Sequence, residues 1–244
     1  MQGREARHHI DLDPHHDERD VAVTEPERAV SAEATSGPNR PVRDLIGLDR
    51  FTAFSDGVYA IAITLLVLEL TVPEGPERLF EARAGQWHEF LGYLISFAFI
   101  GGSWLTHARM SRLMKSADAV VAGINLVVLL LVAVLPFTTS LMAVNLSTPA
   151  MGGAVLVYGV NVLLASVALS LMLVYLGRER SLLVDDVADD ELALIVRARW
   201  IAIAVNLVAI AIAIAAPAVA VGLYVLVTLT VFVAPLLRLR RRRA

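Results

Sequence analysis

The sequence predicts an all-α integral membrane protein with six transmembrane helices, and three observations support that fold class. Hydrophobic residues make up 57% of the 244 residues and charged residues only 18%, a balance typical of polytopic membrane proteins. The apolar residues form long segments. Each segment is at least about 20 residues long, which is the length that a helix needs to cross a bilayer. The charged residues lie mainly between these segments and at the two ends of the chain.

The chain divides into three parts by composition. Residues 1–44 are rich in Arg, Asp, Glu, His and Pro, so we expect a disordered cytoplasmic tail without a secretory signal. Its histidines, including His8 and His9, are interpreted as incidental polar residues. Residues 45–238 hold the six-helix transmembrane domain, and residues 239–244 form a basic cytoplasmic C-terminus.

The first four helices follow directly from the apolar segments. They are predicted at 51–72, 88–110, 118–144 and 150–176. Pro136 lies inside the third of them and predicts a kink, because proline removes a backbone donor.

The last two helices need an argument, since no charged residue occurs between Arg199 and Arg238. One helix of that length would measure about 57 Å, against a hydrocarbon core of about 30 Å. The segment must therefore fold back, and Ala216-Pro217 is the best breaker because proline ends helices and begins them well. The predicted helices are 196–216 and 218–238.

The positions of the arginines predict the orientation. Positive residues close to transmembrane segments are retained on the cytoplasmic side. They precede the first helix, follow the second and fourth, and end the chain: Arg40, Arg43, Arg50, Arg109, Arg112, Lys115, Arg178, Arg180, Arg197, Arg199, Arg238 and Arg240 to Arg243. The other three loops are acidic or uncharged, so both termini are expected in the cytoplasm, with the terminal arginines near anionic lipid heads.

Chemical signals for an enzyme are poor. The chain has no cysteine, which excludes thiolate chemistry and disulfides. No ligand cluster for a metal, phosphate loop or catalytic triad is recognisable inside the segments. The net charge of −3 gives no support to nucleic-acid binding. Asn161 and Asn206 are expected to form hydrogen bonds between helices, because polar groups in lipid need partners.

Two features of the first helix point to function. Asp56 lies near the start of an apolar segment, where a carboxylate is costly and usually functional; the alternative is a helix cap at head-group level. Ile61, Thr64, Leu65 and Leu68 have the spacing i, i+3, i+4, i+7 and share one helix face. By itself such a stripe is most often a packed apolar face.

Arg50, Phe54, Ser55 and Asp56 form an Arg-x-x-x-Phe-Ser-Asp string that resembles the signature of the transmembrane protein 175 family, potassium channels of lysosomes and prokaryotes. The string continues into the apolar segment 60–69. Further matches are Trp104-x-x-His107, Asn125-Leu126 and Leu135-Pro136-Phe137. The resemblance covers about residues 45–237.

The resemblance implies a pore lined by the first helix, with Ile61 at the narrowest point and Thr64, Leu65 and Leu68 nearby. It also implies a hydrogen-bonded polar network that holds this helix: Arg50, Phe54, Ser55, Asp56, Trp104, His107 and Asn125. One helix cannot enclose a pathway, so an oligomer is required, and the family implies a homotetramer with a central pore. Glu69, near the outer end of the helix, is expected either to concentrate cations or to be an ordinary surface carboxylate.

The function expected from the resemblance is a potassium-permeable, weakly selective cation leak channel in the cell (plasma) membrane, with a hydrophobic constriction as its selectivity element. The partners are potassium ions, protons or other monovalent cations, and membrane lipids. We expect no enzyme activity, cofactor, metal or nucleic acid. One alternative is a proton-coupled secondary transporter or permease that uses Asp56 and His107 as a relay. Another is a membrane-embedded sensor or scaffold that docks through its charged tail.

Overall fold

The structure, a computed structural model, describes residues 47–70, 87–185 and 187–241. These residues form six long α-helices and one turn of 3₁₀-helix. The helices are α1 (Leu48–Leu68), α2 (Trp87–Leu113), α3 (Ala119–Asn145), α4 (Met151–Arg178), α5 (Asp189–Ala215) and α6 (Pro217–Arg241), and the 3₁₀ turn is Arg180–Leu182. The expected tail 1–44 and most of the expected loop 73–87 lie outside the described residues.

Five of these helices are long and apolar enough to cross a membrane, and the apolar part of α6 is Pro217–Phe232. Large apolar side chains are exposed on them, among them Leu130, Phe137 and Ile214 at 62%, 65% and 74%. A soluble protein would bury most such residues, whereas lipid solvates them. The prediction of an all-α membrane protein with six helices is confirmed.

The break between the last two helices is also confirmed. α5 ends at Ala215 and α6 begins at Pro217. Ala216 leaves the helical conformation with φ −145° and ψ 71° while its N–H still donates to Ile212. Proline at the first helical position loses no hydrogen bond, because that N–H would have no partner inside the helix.

Two helix boundaries differ from the prediction by four residues or more. α1 ends at Leu68, four residues before the predicted end. α5 begins at Asp189, seven residues before the predicted start. It contains Arg197 and Arg199, which were counted with the preceding loop for the orientation although the predicted helix 196–216 already included them. The apolar segment marks only the part of a helix that is buried in lipid or protein, and a helix can extend beyond it into water. α3 continues through Pro136 to Asn145.

The helices pack around one apolar core. α1 packs on α2 and α3, α4 packs between α3 and α5, and α6 returns to contact α2. The largest fully buried side chains include Tyr59, Tyr158, Leu169 and Met172. Gly159 permits close approach of α4 to the last two helices, since a Cβ there would lie 2.8 Å from the Tyr224 hydroxyl and 2.9 Å from Ile210.

Two loops meet at one end of the bundle. The α2–α3 loop pairs with the α4–α5 loop through Lys115 N–H to Leu182 O (2.9 Å) and Val184 N–H to Leu113 O (3.0 Å). Lys115 also forms an exposed ion pair with Asp185 at 3.2 Å. The two loops that the arginine pattern assigns to one side of the membrane therefore lie at the same end of the structure.

Candidate functional site: helix α1 and its polar network

Helix α1 has two unlike faces. Its buried residues are Phe51, Ser55, Tyr59, Ala62 and Leu66, spaced by three or four positions, which places them on one side of the helix. This side contacts α2 and α3. The local sequence favours burial of this face, because these positions carry aromatic, small or aliphatic residues that fit between two neighbouring helices.

The stripe Ile61, Thr64, Leu65 and Leu68 lies on the other side and is exposed; we call it the outward face. Ile61 is 60% exposed, Leu65 40% and Leu68 75%. The Thr64 hydroxyl donates to Ile61 O at 2.9 Å, so its oxygen can still accept a hydrogen bond. An apolar face that a single chain leaves uncovered meets lipid, another protein surface or a water-filled pathway.

A chain of hydrogen bonds ties α1 to α3 and α2 beneath this face. Asn125 Nδ2 donates to Ser55 Oγ at 2.9 Å, and Ser55 donates to Phe51 O at 2.9 Å. The Asn125 oxygen consequently faces His107, and the imidazole Nε2 donates to it at 3.0 Å. All three side chains are buried, with His107 at 0% and Asn125 at 2% exposure.

His107 is also enclosed by aromatic rings. Phe51 stacks on it at 5.8 Å between ring centroids, and Tyr59 lies at 5.7 Å. Tyr59 in turn bonds to Ser103 Oγ of α2 at 3.0 Å. Phe51, Tyr59 and Ser103 were not predicted. For Phe51 and Tyr59 the sequence offered only their positions, four residues before and four residues after Ser55, which place them on the same face of α1.

Asp56 lies apart from this chain, on the exposed side. Trp104 Nε1 donates to Asp56 Oδ1 at 2.8 Å, and Trp104 is 39% exposed. In the described part of the chain no hydrogen bond joins Asp56 to His107, so the structure does not link the two residues of the expected proton relay directly.

The remaining predicted members of the network lie elsewhere. Arg50 is exposed near the start of α1, and no hydrogen bond or ion pair links it to the other described residues. Phe54 is 57% exposed. Glu69 follows α1 as its exposed C-cap residue. The structure therefore brings together Ser55, His107 and Asn125, and separately Asp56 and Trp104.

The two amides expected between helices differ. Asn161 Nδ2 donates to Thr138 Oγ1 at 3.2 Å and joins α4 to α3, which confirms that expectation. The buried Asn206 Oδ1 has no hydrogen-bond partner among the described residues. The described residues also contain no cluster of His, Asp or Glu suited to a metal ion; the histidines of the tail fall outside them.

Similar sequences match part of this chain. Residues 50–136 match the profile of a family described as the endosomal/lysosomal potassium channel TMEM175. A potassium channel of Streptomyces collinus is 42% identical over 96 residues, which cover 38% of this chain and 47% of that protein. A potassium channel of Chamaesiphon minutus is 41% identical over 113 residues, covering 45% and 56%. The matched region thus spans about half the length of these relatives.

A vertebrate protein is more distantly similar. The endosomal/lysosomal proton channel TMEM175 of Rattus norvegicus is 30% identical over 122 residues, 48% of this chain and 24% of that protein.

Solved structures extend the likeness to most of the chain. A lysosomal potassium-selective channel TMEM175 homologue from Chamaesiphon minutus superimposes with a TM-score of 0.68 at 29% identity, covering 77% of this chain and 97% of that chain. A variant of the potassium channel MtTMEM175, solved in complex with a nanobody fusion protein, superimposes with a TM-score of 0.56 at 20% identity, covering 83% of this chain and 98% of that chain. The second match concerns the fold alone.

Proposed function

We propose, from the confirmed similarity of this chain to the TMEM175 family, that it is a subunit of a potassium-permeable, weakly selective cation leak channel. The observation that carries the proposal is the outward face of α1, where Ile61 and Leu68 are 60% and 75% exposed in a single subunit. The names of the similar bacterial proteins support potassium as the permeant ion. The name of the vertebrate relative supports protons as a further one.

The outward face of α1 becomes a pore wall only in an oligomer. One helix cannot surround a pathway, whereas four copies placed about an axis would turn four outward faces toward each other. The ring of Ile61 side chains is then the narrowest point, followed by Thr64, Leu65 and Leu68. We therefore propose a homotetramer with a central pore.

A ring of isoleucine side chains offers no ligand to replace the water around an ion. Ions cross such a constriction partly dehydrated or when it becomes wet. Potassium holds its water less tightly than sodium, so the ring favours potassium by the smaller dehydration cost. Selectivity of this origin is modest. Glu69, exposed beyond the apolar end of α1, would raise the local cation concentration.

The bonds that link Ser55, Asn125 and His107 serve this pore indirectly. They hold the buried face of α1 against α2 and α3, which fixes the direction of the outward face. Buried polar groups within a membrane segment are costly unless they are paired. Their pairing here supports a structural role.

The proposed setting is the plasma membrane, with both termini in the cytoplasm. The arginine pattern supports this orientation, and so does the meeting of the α2–α3 and α4–α5 loops at one end.

Recording from purified protein in a planar bilayer under a potassium/sodium gradient tests the proposal. A channel gives a linear current that does not saturate, with a reversal potential displaced toward that of potassium. Ile61→Asn should wet the constriction and bring the reversal potential closer to zero. Leu164→Asn is the control, because Leu164 is 49% exposed but lies on α4, outside the proposed pore.

A saturating, proton-dependent flux would instead indicate a transporter. If the reversal potential of Ile61→Asn equals that of the wild type, Ile61 does not form the constriction.

A further inference from the structure

A cavity of about 530 Å³ lies between α2, α4, α5 and α6, away from the outward face of α1. Its volume falls in the range of ligand sites, about 300–1,000 Å³. Most of its wall is apolar, with Phe99, Val162, Val205, Leu223 and Val231 among the lining residues. Ile201 and Leu226 line it too and are 57% and 58% exposed, so the cavity opens on the outer surface of the bundle.

Arg199 of α5 also lines this cavity. Its Nη2 donates to Ser166 O at 3.0 Å and its Nε to Ser170 Oγ at 3.4 Å. Both acceptors are neutral, and no carboxylate of the described residues forms an ion pair with Arg199. A guanidinium has five N–H donors, so three remain for another acceptor. A cation inside a transmembrane helix without a counter-charge is costly and indicates a functional site.

The depth of Arg199 suits a lipid head group. The uncharged part of α5 begins at Trp200, so Arg199 lies at the edge of the apolar segment, close to the membrane surface. An arginine at that depth reaches the head-group level by extending its side chain. The cavity continues from Arg199 past Ala202 and Val205 to Asn206, about 10 Å along the helix axis.

We propose that this cavity binds an anionic phospholipid. The phosphate accepts hydrogen bonds from the free N–H groups of Arg199, and one acyl chain lies along the apolar wall. Basic sites between transmembrane helices are suited to anionic head groups, and arginine binds phosphate through paired N–H donors. The lipid would supply the missing negative charge and fill the apolar space. The inference goes beyond ion conduction and does not depend on it.

Native mass spectrometry on the full-length protein tests the proposal, after extraction from nanodiscs of equal phosphatidylglycerol and phosphatidylcholine. The wild type should retain phosphatidylglycerol over phosphatidylcholine about tenfold, and Arg199→Gln should bring the ratio close to one. Arg197→Gln is the matched control, since Arg197 lies on the same helix but is exposed and does not line the cavity. An unchanged ratio in Arg199→Gln, or an equal loss in Arg197→Gln, overturns the proposal.

A second pair of variants leaves the charge in place. Ala202→Phe places a ring in the cavity and should reduce retained phosphatidylglycerol about tenfold, whereas Ala204→Phe lies outside the lining and should not. This pair decides the outcome if Arg199→Gln does not fold. If Ala202→Phe and Ala204→Phe retain equal amounts of phosphatidylglycerol, the proposed lipid site is wrong. The same holds if Ala202→Phe changes the oligomeric state but not the amount of retained lipid. Displacement of the lipid by excess glycerol phosphate would assign the site to a free anion instead.

Discussion

Asn125 joins three helices through one side chain. Its amide nitrogen donates to Ser55 of α1 and its oxygen accepts from His107 of α2, at 2.9 and 3.0 Å. A buried group that loses its partner carries the whole cost of its desolvation, about 1–3 kcal/mol in proteins generally. In membrane proteins the net value of such bonds is smaller, about 0.6 kcal/mol on average.

Asn125→Leu should therefore lower the free energy of unfolding by about 1–2 kcal/mol, because Ser55 and His107 both lose a partner. The measurement is denaturant unfolding of the purified protein in mild detergent. Asn206→Leu is the matched control. It replaces another buried amide, one whose Oδ1 has no partner among the described residues, so it should cost little. Equal losses in the two variants would mean that the bonds of Asn125 contribute nothing specific.

At the scale of the element, α1 is apolar on both faces and only one of them is packed. Tyr59, Ala62 and Leu66 are each 1% exposed, whereas Ile61 is 60% exposed. Residues separated by two positions thus meet different surroundings. The outward face is a water-lined wall in the proposed channel and a lipid-facing surface otherwise.

Single cysteines placed along 59–68 distinguish these two surroundings, and the chain has no native cysteine to interfere. Reaction with a small water-soluble thiol reagent should be fastest at 61, 64, 65 and 68 and slow at 59, 62 and 66. The reason is that the reagent enters from water and reaches only residues that line a wet pathway. Labelling rates in membrane vesicles give the measurement.

Leu164→Cys provides the comparison for this scan, since Leu164 is also exposed on the isolated subunit, at 49%, but should meet lipid and stay unreactive. Uniform protection along α1, or reaction at Leu164→Cys as fast as at Ile61→Cys, would argue against a pore wall.

At the scale of the whole molecule, the contact between Asp56 and Trp104 lies at the surface of the subunit. The carboxylate and the 39% exposed indole meet beside the outward face and not within the buried network. A charged group at this place in a membrane protein needs further partners or water. An adjacent subunit or the mouth of the pore would supply them.

Asp56→Ala should reduce the fraction of assembled oligomer before it alters ion preference, because the Trp104 N–H loses its acceptor at an exposed surface that the proposed tetramer would place near a neighbouring subunit. Asp56→Asn keeps the Oδ1 acceptor and should retain more assembly. Size-exclusion chromatography and flux on the same preparations give both readouts. Normal assembly with lost proton coupling in both variants would favour the transporter instead, and normal assembly with normal flux would leave only a helix-cap role for Asp56.

The sequence alone determined most of the architecture of this protein. The apolar segments set the number and order of the helices, and Pro217 set the break between α5 and α6, because lipid demands long apolar helices and proline cannot continue one. The resemblance to a channel family singled out Ser55, together with His107 and Asn125 among its further matches. Helix ends that extend into water, such as the start of α5 at Asp189, contain no run of apolar residues. The sequence pattern therefore did not predict them.

Only the tertiary structure decided which residues meet. It joined His107 to Asn125 by a hydrogen bond and gave Asp56 another partner, Trp104, although all of them were expected in one network. It also placed Arg199 in a cavity, hydrogen-bonded to two neutral acceptors, which its position at the start of an apolar segment does not reveal. The reason is physical: helix periodicity fixes which residues share a face, whereas the rotation of each helix against its neighbours depends on the packing of all six together.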